Sequence, residues 1–348
     1  MHRMRIAIVS TCAVPTPPPA YGGTERFVAT LAAGLVARGH DVVVYATGDS
    51  LPAGRLRYRF AAARWPPDPS AEREHAQYAW SDLRRFRPDV VHVNGPEALP
   101  CEEAFAPPVV ATIHDAPSPA LVATYARSSA HCVAISREQA RSLRGVTRLS
   151  VIGHGLDASR FPRGVGAGGY VAFLGRIGPE KAPHLAVDAA HRARVPLRIA
   201  GPHWTGIARY ERYFAEEFAP RLAQGADIAW LGELDANATV AFLRGAEALL
   251  FPMQWDEPFG LVMIEAMLVG TPVVAFARGS ALEIVDEGVT GHLVRDAREM
   301  AQALPKTRVL DRERCRRRAC ARFSAATMVA RYETLYRALH ESNPRAVA

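Results

Sequence analysis

Residues 5–10 read Arg-Ile-Ala-Ile-Val-Ser and residues 41–45 read Asp-Val-Val-Val-Tyr. Between them, from Thr24 to Arg38, Phe27, Val28, Leu31 and Leu35 recur at helical spacing. Two short apolar runs joined by an amphipathic helix make a βαβ unit, the building block of a parallel sheet. Thr24 offers a hydroxyl to cap the helix, and Gly39 a residue to end it. The start of the chain, with early positive charge ahead of a short apolar stretch, also has the outline of a signal peptide. Its direct passage into a glycine-containing turn and helix favours a buried first strand.

The same alternation continues outward. Strands are expected near Val90–Val93, Val109–Ile113, His131–Ala134 and Ser150–Ile152. After the Pro- and Gly-containing stretch Asp157–Gly169 they resume at Tyr170–Leu174, Leu197–Ala200, Asp227–Leu231, Ala248–Phe251 and Pro272–Phe276. Helices are expected over Pro183–Arg192, Ile207–Leu222, Ala236–Arg244, Leu261–Val269 and Ala325–His340. The pattern predicts the α/β class, with two doubly wound, Rossmann-like domains over residues 1–157 and 158–324. A last amphipathic helix within 325–348 has an apolar face that could pack back onto either domain, the first among them. In such sheets ligands sit beyond the carboxyl ends of the strands, at the point where strand order reverses, so chemistry is sought in the loops that follow strands.

Composition bounds the function classes. A chain of 348 residues, 49% apolar and 22% charged, fits two folded domains rather than a disordered protein. Five cysteines (Cys12, Cys101, Cys132, Cys315, Cys320) without a C-x-x-C pair suggest neither a disulfide framework nor a zinc site. No stretch approaches the roughly 20 apolar residues of a membrane span, and a cytoplasmic location is expected. The net charge is +7, and all but two of the 42 basic residues are arginine, the exceptions being Lys181 and Lys306. Nucleic acid is not an expected partner. The densest run, Arg312 to Arg322, reads as a solvated helix face, with peripheral contact to an anionic inner-membrane surface as the alternative.

Two loops of the second half carry the chemistry. After the strand ending at Leu174 comes Gly-Arg-Ile-Gly-Pro-Glu-Lys (175–181), which sets Arg176 and Lys181 around a turn. An isolated pair of loop cations is usually just solvated. In a chain that uses arginine almost everywhere, however, lysine at 181 suggests that a compact charge is needed beside a planar fork, a combination suited to a diphosphate. After the strand ending at Phe251 comes Pro-Met-Gln-Trp-Asp-Glu-Pro-Phe-Gly (252–260), opening a helix. Pro258 should keep Glu257 extended and outside that helix, and Gly260 lets backbone approach a ligand closely at an anion-attracting helix start. Were Glu257 and Glu265 both helical, they would lie ~80° and ~12 Å apart, so they do not face one bond as an acid/base pair. They suit separate hydroxyl groups of one long ligand. Glu265 is the only charge in a strongly apolar helix, where a structural role would require a cationic neighbour.

Glu257 and Glu265, followed by Gly-Thr-Pro-Val-Val-Ala (270–275) and preceded by Gly175-Arg176 and Lys181, resemble the retaining family 4 glycosyltransferases of GT-B fold. The likeness extends to Tyr21-Gly22-Gly23, Thr112-Ile-His114-Asp115, Ala134-Ile-Ser136, Gly153-His-Gly155-Leu-Asp157 and Gly288-Val-Thr-Gly291. It implies two domains facing across a deep cleft, and a nucleoside-diphosphate sugar, commonly a UDP-hexose, as co-substrate with no other cofactor. The acceptor would be a saccharide, a glycolipid or a small molecule. The resemblance assigns Glu257 to hydroxyls of the donor sugar, Glu265 to the ribose, and Arg176 and Lys181 to the diphosphate. Phe259, Gly260 and Leu261 would contribute amides, Gly22 and Gly23 would approach phosphates or acceptor, and His114 would lie near the transferred sugar. No metal site is expected, since no Asp-x-Asp motif is present. The chain departs from the family pattern at Ala182, in place of a usual glycine, at His154, in place of a common asparagine, and in a proline-rich first loop.

The rival readings are a non-catalytic nucleotide-sugar binder, a nicotinamide oxidoreductase, and a GT-B epimerase or phosphorylase. The first should lack the cations or Glu257. The second should show G-x-G-x-x-G after the first strand, where Gly22-Gly23 lacks the spacing. Release of free nucleoside diphosphate in the presence of an acceptor separates the third.

Overall fold

The computed structural model describes residues 3–99, 107–223 and 227–343. Arg5–Val9 forms β1, and Gly23–Ala37 forms α1 with Phe27, Val28, Leu31 and Leu35 buried. Asp41–Ala46 (β2) lies parallel to β1, with Arg5 opposite Asp41 and Val9 opposite Tyr45. The capping expectation for α1 is corrected. Gly22 occupies the N-cap without a side-chain hydrogen bond, and Thr24 lies inside the first turn.

The chain divides into two units, Met1–Gly155 with Ala325–Ala348, and Leu156–Ser324. The first continues through Arg55–Tyr58 (β3), Pro69–Phe86 (α2), Val90–Val93 (β4), Val109–Ile113 (β5), Pro119–Arg127 (α3), His131–Ala134 (β6), Arg137–Ser142 (α4) and Leu149–Val151 (β7). Its sheet is parallel, in the order β3-β2-β1-β4-β5-β6-β7, so strand order reverses between β1 and β4.

The second unit runs Val171–Leu174 (β8), Pro183–Ala193 (α5), Leu197–Ala200 (β9), Ala208–Tyr213 (α6), Ala219–Leu222 (α7), Ile228–Trp230 (β10), Ala236–Gly245 (α8), Leu249–Phe251 (β11), Leu261–Leu268 (α9), Val273–Phe276 (β12), Ala281–Ile284 (α10), Gly291–Val294 (β13), Ala297–Thr307 (α11) and Arg312–Arg322 (α12). Its parallel sheet is ordered β10-β9-β8-β11-β12-β13 and reverses between β8 and β11. Both sheets are doubly wound, as the alternation of apolar runs predicts.

Ala325–Glu341 (α13) follows the second unit in sequence but belongs to the first. Its Met328, Val329, Tyr332 and Tyr336 are buried in one cluster with Phe27, Val28, Leu31 and Leu35 of α1 and Ile6 and Ile8 of β1. Each such side chain contributes roughly 1.5–3 kcal/mol on leaving water. The helices meet closely because position 34 is glycine: a Cβ there would lie 2.4 Å from Val329 Cγ2.

The reading of Arg312–Arg322 as a solvated face holds for Arg314, Arg317 and Arg318, which are exposed, and is corrected for Arg312, Arg316 and Arg322. Arg312 donates to the carbonyls of Ala246 (3.2 Å) and Glu247 (3.3 Å) and to Thr271 Oγ1. Arg316 donates to the carbonyls of Leu268 and Phe161, and Arg322 to those of Ile284 (3.0 Å) and Glu283. Ala246, Leu268 and Ile284 stand at the C-termini of α8, α9 and α10, where orphaned carbonyls and the negative end of the helix dipole attract cations. With these three arginines one helix caps three others.

Among the described residues no helix is long and apolar enough to cross a membrane. Cys12, Cys315 and Cys320 are free thiols, and Cys101 lies outside the described residues.

Candidate functional site

In the second unit, the loops leaving β8, β11 and β12 emerge from three neighbouring strands on the carboxyl side of the reversal point. The candidate residues Arg176 and Lys181 follow β8, and Glu257, Phe259 and Gly260 follow β11. The backbone N–H of Gln254 donates to the carbonyl of Glu180 at 2.9 Å, and that of Ser280 to the carbonyl of Glu257 at 3.0 Å, so the three loops are tied together. Gly279 has φ +53, and a Cβ there would lie 2.6 Å from the Glu257 nitrogen. Only glycine lets these two loops touch.

The cations do not stand free. Lys181 Nζ lies 2.5 Å from Glu257 Oε2, which also accepts from Trp255 Nε1 at 2.6 Å, and Lys181 sits over the Trp255 ring at 5.1 Å. Arg176 is held by Glu180, with Nε 3.0 Å from Oε1, and stacks on Trp204 at 4.0 Å. Glu180 in turn accepts from Arg209 Nη2 (3.2 Å) and Tyr210 Oη (3.1 Å). Burial alone would raise the Glu180 pKa, but the Arg176 charge and hydrogen bonds outweigh it and hold the carboxyl below its ordinary range.

Pro258 keeps Glu257 outside α9, which begins at Leu261 behind the N-cap Gly260 (φ +80, ψ +66). A Cβ at Gly260 would lie 2.7 Å from Met263 Cε, 3.0 Å from Phe251 Cζ and 3.4 Å from Glu257 Cγ. Its glycine is therefore needed by the loop itself as well as for any ligand approach. Phe259 is buried, with its ring edge-on to Phe323, and Glu265 is buried within α9, 1% exposed. Ala182, at the family's usual glycine position, adopts φ +50 and ψ +50 and is fully buried. The left-handed conformation costs a residue with a Cβ ~1–2 kcal/mol.

In the first unit His114 follows β5, and its Nε2 lies 3.0 Å from Oδ1 of Asn94, which follows β4. Its ring packs 5.0 Å from Phe27 and stacks on His154 at 5.5 Å. Burial pushes the His114 pKa down to about 3, so the ring is neutral at physiological pH. Gly22 has φ +153, and a Cβ there would meet Pro18 Cβ at 2.7 Å and Glu25 Oε2 at 2.9 Å. Gly23 opens α1.

The site thus gathers Arg176, Lys181, Glu257, Phe259, Gly260 and Leu261 at one reversal point, while His114, Gly22 and Gly23 belong to the other unit. Glu180, Trp204 and Asn94 are further polar or aromatic members that sequence reasoning passed over. Each follows a strand end, and that position was the available signal.

Residues 21–160 match the model of "Glycosyltransferase Family 4", and residues 160–324 match "Glycosyl transferases group 1". The chain belongs to the family 4 glycosyltransferases. Among relatives of this family, the D-inositol 3-phosphate glycosyltransferase of Nocardia farcinica is 33% identical over 211 residues, 53% of this chain and 46% of that protein. The chain spans less than half the length of this curated relative. Sucrose-phosphate synthase from Thermosynechococcus elongatus shares the fold with a TM-score of 0.84 at 20% identity, over 98% of this chain and all of that one, 100%. Anabaena HepE, solved in complex with UDP-glucose, matches with a TM-score of 0.74 at 20% identity, over 96% and 99% of the two chains. These solved structures share the GT-B fold over nearly the whole chain.

Proposed function

We propose that this protein transfers a hexose from a nucleoside-diphosphate sugar, a UDP-sugar by preference, to an acceptor hydroxyl with retention of anomeric configuration. One observation carries the reading. Two cations and a carboxylate, Arg176, Lys181 and Glu257, converge from the loops of β8 and β11 at the reversal point of the second sheet, where doubly wound folds hold nucleotides. The UDP-glucose complex of a structural neighbour supports the choice of donor.

In this reading the diphosphate draws Lys181 and Arg176 from their carboxylates. As the sugar C1–O bond breaks, the charge growing on the leaving oxygen is stabilised by both cations and by the amides at the start of α9. Glu257, released from Lys181, accepts hydroxyls of the sugar, and Glu265 holds the ribose. Phe259, Gly260 and Leu261 line the donor pocket, and Gly22, Gly23 and His114 contact phosphates, acceptor or sugar. The acceptor oxygen bonds to C1 on the face that the diphosphate leaves, and its proton departs with the diphosphate. The acceptor is a saccharide, glycolipid or small molecule. Protein cations take the role a divalent metal would fill.

The test is release of UDP from UDP-glucose and related sugars, followed with candidate acceptors before and after chelation. Release that depends on acceptor and persists in chelator is expected. A complete loss with chelator that added metal restores overturns the metal-independent mechanism. No release from any nucleoside-diphosphate sugar overturns the activity.

A further inference from the structure

Asn94 and His114 leave the carboxyl ends of two neighbouring parallel strands, each two residues beyond a buried polar partner, His92 on β4 and Thr112 on β5. Side chains alternate along a strand, so His92 and Asn94 share a face with Thr112 and His114. Phe27 of α1 covers that face, 5.9 Å from His92 and 5.0 Å from His114 between ring centres. The deeper pair is closed by α13: His92 Nδ1 lies 2.6 Å from Tyr336 Oη, His92 Nε2 lies 2.7 Å from Thr112 Oγ1, and Thr112 Oγ1 lies 2.9 Å from Tyr332 Oη. The upper pair closes on itself and on β1. Asn94 Nδ2 donates to the carbonyl of Val9 at 2.9 Å, and Asn94 Oδ1 lies 3.0 Å from His114 Nε2.

The direction of this chain is forced. A backbone carbonyl only accepts, so Val9 must face the NH2 of Asn94, and that fixes the amide with Oδ1 toward His114. The amide oxygen carries no hydrogen, so Nε2 must be the donor. A neutral imidazole has a single N–H, and here Asn94 consumes it. Nδ1 is left as a bare lone pair, and among the described residues it has no hydrogen-bond partner.

We propose that Asn94, anchored on the Val9 carbonyl, is a positioning residue that locks His114 in its Nε2–H tautomer, so that Nδ1 is presented as an acceptor for a substrate hydroxyl. The proposal rests on the reading of His114 as a sugar-contacting residue. It adds that His114 orients a hydroxyl and donates no proton to the leaving diphosphate. A rotated amide, with its NH2 toward His114, would reverse that discrimination.

Nitrogen-15 spectra of the full chain labelled at histidine, with His114 assigned by its absence in His114→Gln, read the tautomer directly and without ligand. A pyrrole-type Nε2 and a pyridine-type Nδ1 are expected. In Asn94→Ala the two forms should mix, and turnover should fall roughly 10- to 100-fold while donor affinity changes less. A wild-type ring protonated on Nδ1 overturns the proposal, as does an Asn94→Ala chain that keeps a pure Nε2–H tautomer. If Asn94→Ala does not fold, the wild-type spectrum still decides. Because that spectrum needs no turnover, a correct tautomer in a chain that transfers no sugar would leave the Asn94 assignment standing and remove only the proposed function.

Discussion

Lys181 Nζ and Glu257 Oε2 lie 2.5 Å apart although 76 residues separate them in sequence, and the Trp255 indole donates to the same oxygen. The two side chains are only 12% and 11% exposed, so truncating either strands the other's charge in a poorly hydrated place. Each single alanine variant should lose roughly 1–3 kcal/mol of unfolding free energy. The double variant should lose less than the sum by ~0.5–3 kcal/mol. Denaturant unfolding of all four chains checks this, and simple additivity would refute the coupling. Lys181→Ala should also lower turnover by roughly 100-fold or more.

Gly260 holds φ +80 with Met263, Phe251 and Glu257 around the site of its missing Cβ. Gly260→Ala should cost ~1–2 kcal/mol from backbone strain alone, and more from the Met263 contact. The same Cβ presses on Glu257 Cγ, so donor affinity measured by calorimetry should weaken as well. A variant that melts lower but binds donor normally would separate Gly260 from the positioning of Glu257.

An interior glycine in a helix normally costs stability relative to alanine, by about 1 kcal/mol. At Gly34 the sign should reverse. A Cβ there lies 2.4 Å from Val329 Cγ2, so Gly34→Ala should destabilise the contact of α1 with α13, and Val329→Ala in the same chain should recover part of the loss. Thermal melting of the single and double variants tests the reversal.

Acid should loosen the first unit. Burial lowers the pKa of His92 and His114 to about 3, and that of His154 well below its ordinary value, so the folded rings stay neutral while the unfolded ones protonate near 6.5. A depressed folded pKa contributes stability that is complete above 6.5 and is lost as pH falls, for His92 and His114 down toward 3 at ~1.4 kcal/mol per pH unit each. Glu333 adds a second stage. Burial opposes its ionisation, but hydrogen bonds and charge from Arg337 and Arg38 hold its carboxyl down to about 2, so its contribution goes below the ordinary carboxylate range. Glu72, pushed by burial up to about 7, works in the opposite sense between pH 4.5 and 7. The clean measure is therefore a difference: His154→Asn should show a shallower loss of stability below pH 6.5 than the parent chain.

Most central strands were legible because strands buried on both faces are continuous apolar runs, and β4, β5, β6 and β9 fall where those runs do. The edge strand β3, Arg-Leu-Arg-Tyr, was not legible, since an exposed edge needs no apolar run. Helix α2 was hidden by a surface rich in Arg, Glu and Ser, although Ala79, Trp80 and Leu83 mark its buried side. The site was readable as a set of residue types after strand ends. The partners of its charges were not, because the Glu180 and Glu257 contacts depend on which loops the sheet order brings together. Half of the Arg312–Arg322 run was hidden for the same reason: composition cannot tell the solvated guanidinium groups of Arg314, Arg317 and Arg318 from those of Arg312, Arg316 and Arg322, which cap neighbouring helices.

Helix α13 closes a face of the first sheet that was built from the chain's opening residues, and a ribosome delivers all of Leu156–Ser324 before Ala325 emerges. Throughout that interval the nascent protein carries Phe27, Val28, Leu31 and Leu35 without their cover, while the second unit is free to complete itself as an uninterrupted insert. Synthesis therefore passes through a half-sealed stage, in which a holding chaperone has an apolar surface to grip. A premature stop anywhere between Ser324 and Tyr336 would yield a chain with one finished half and one permanently open.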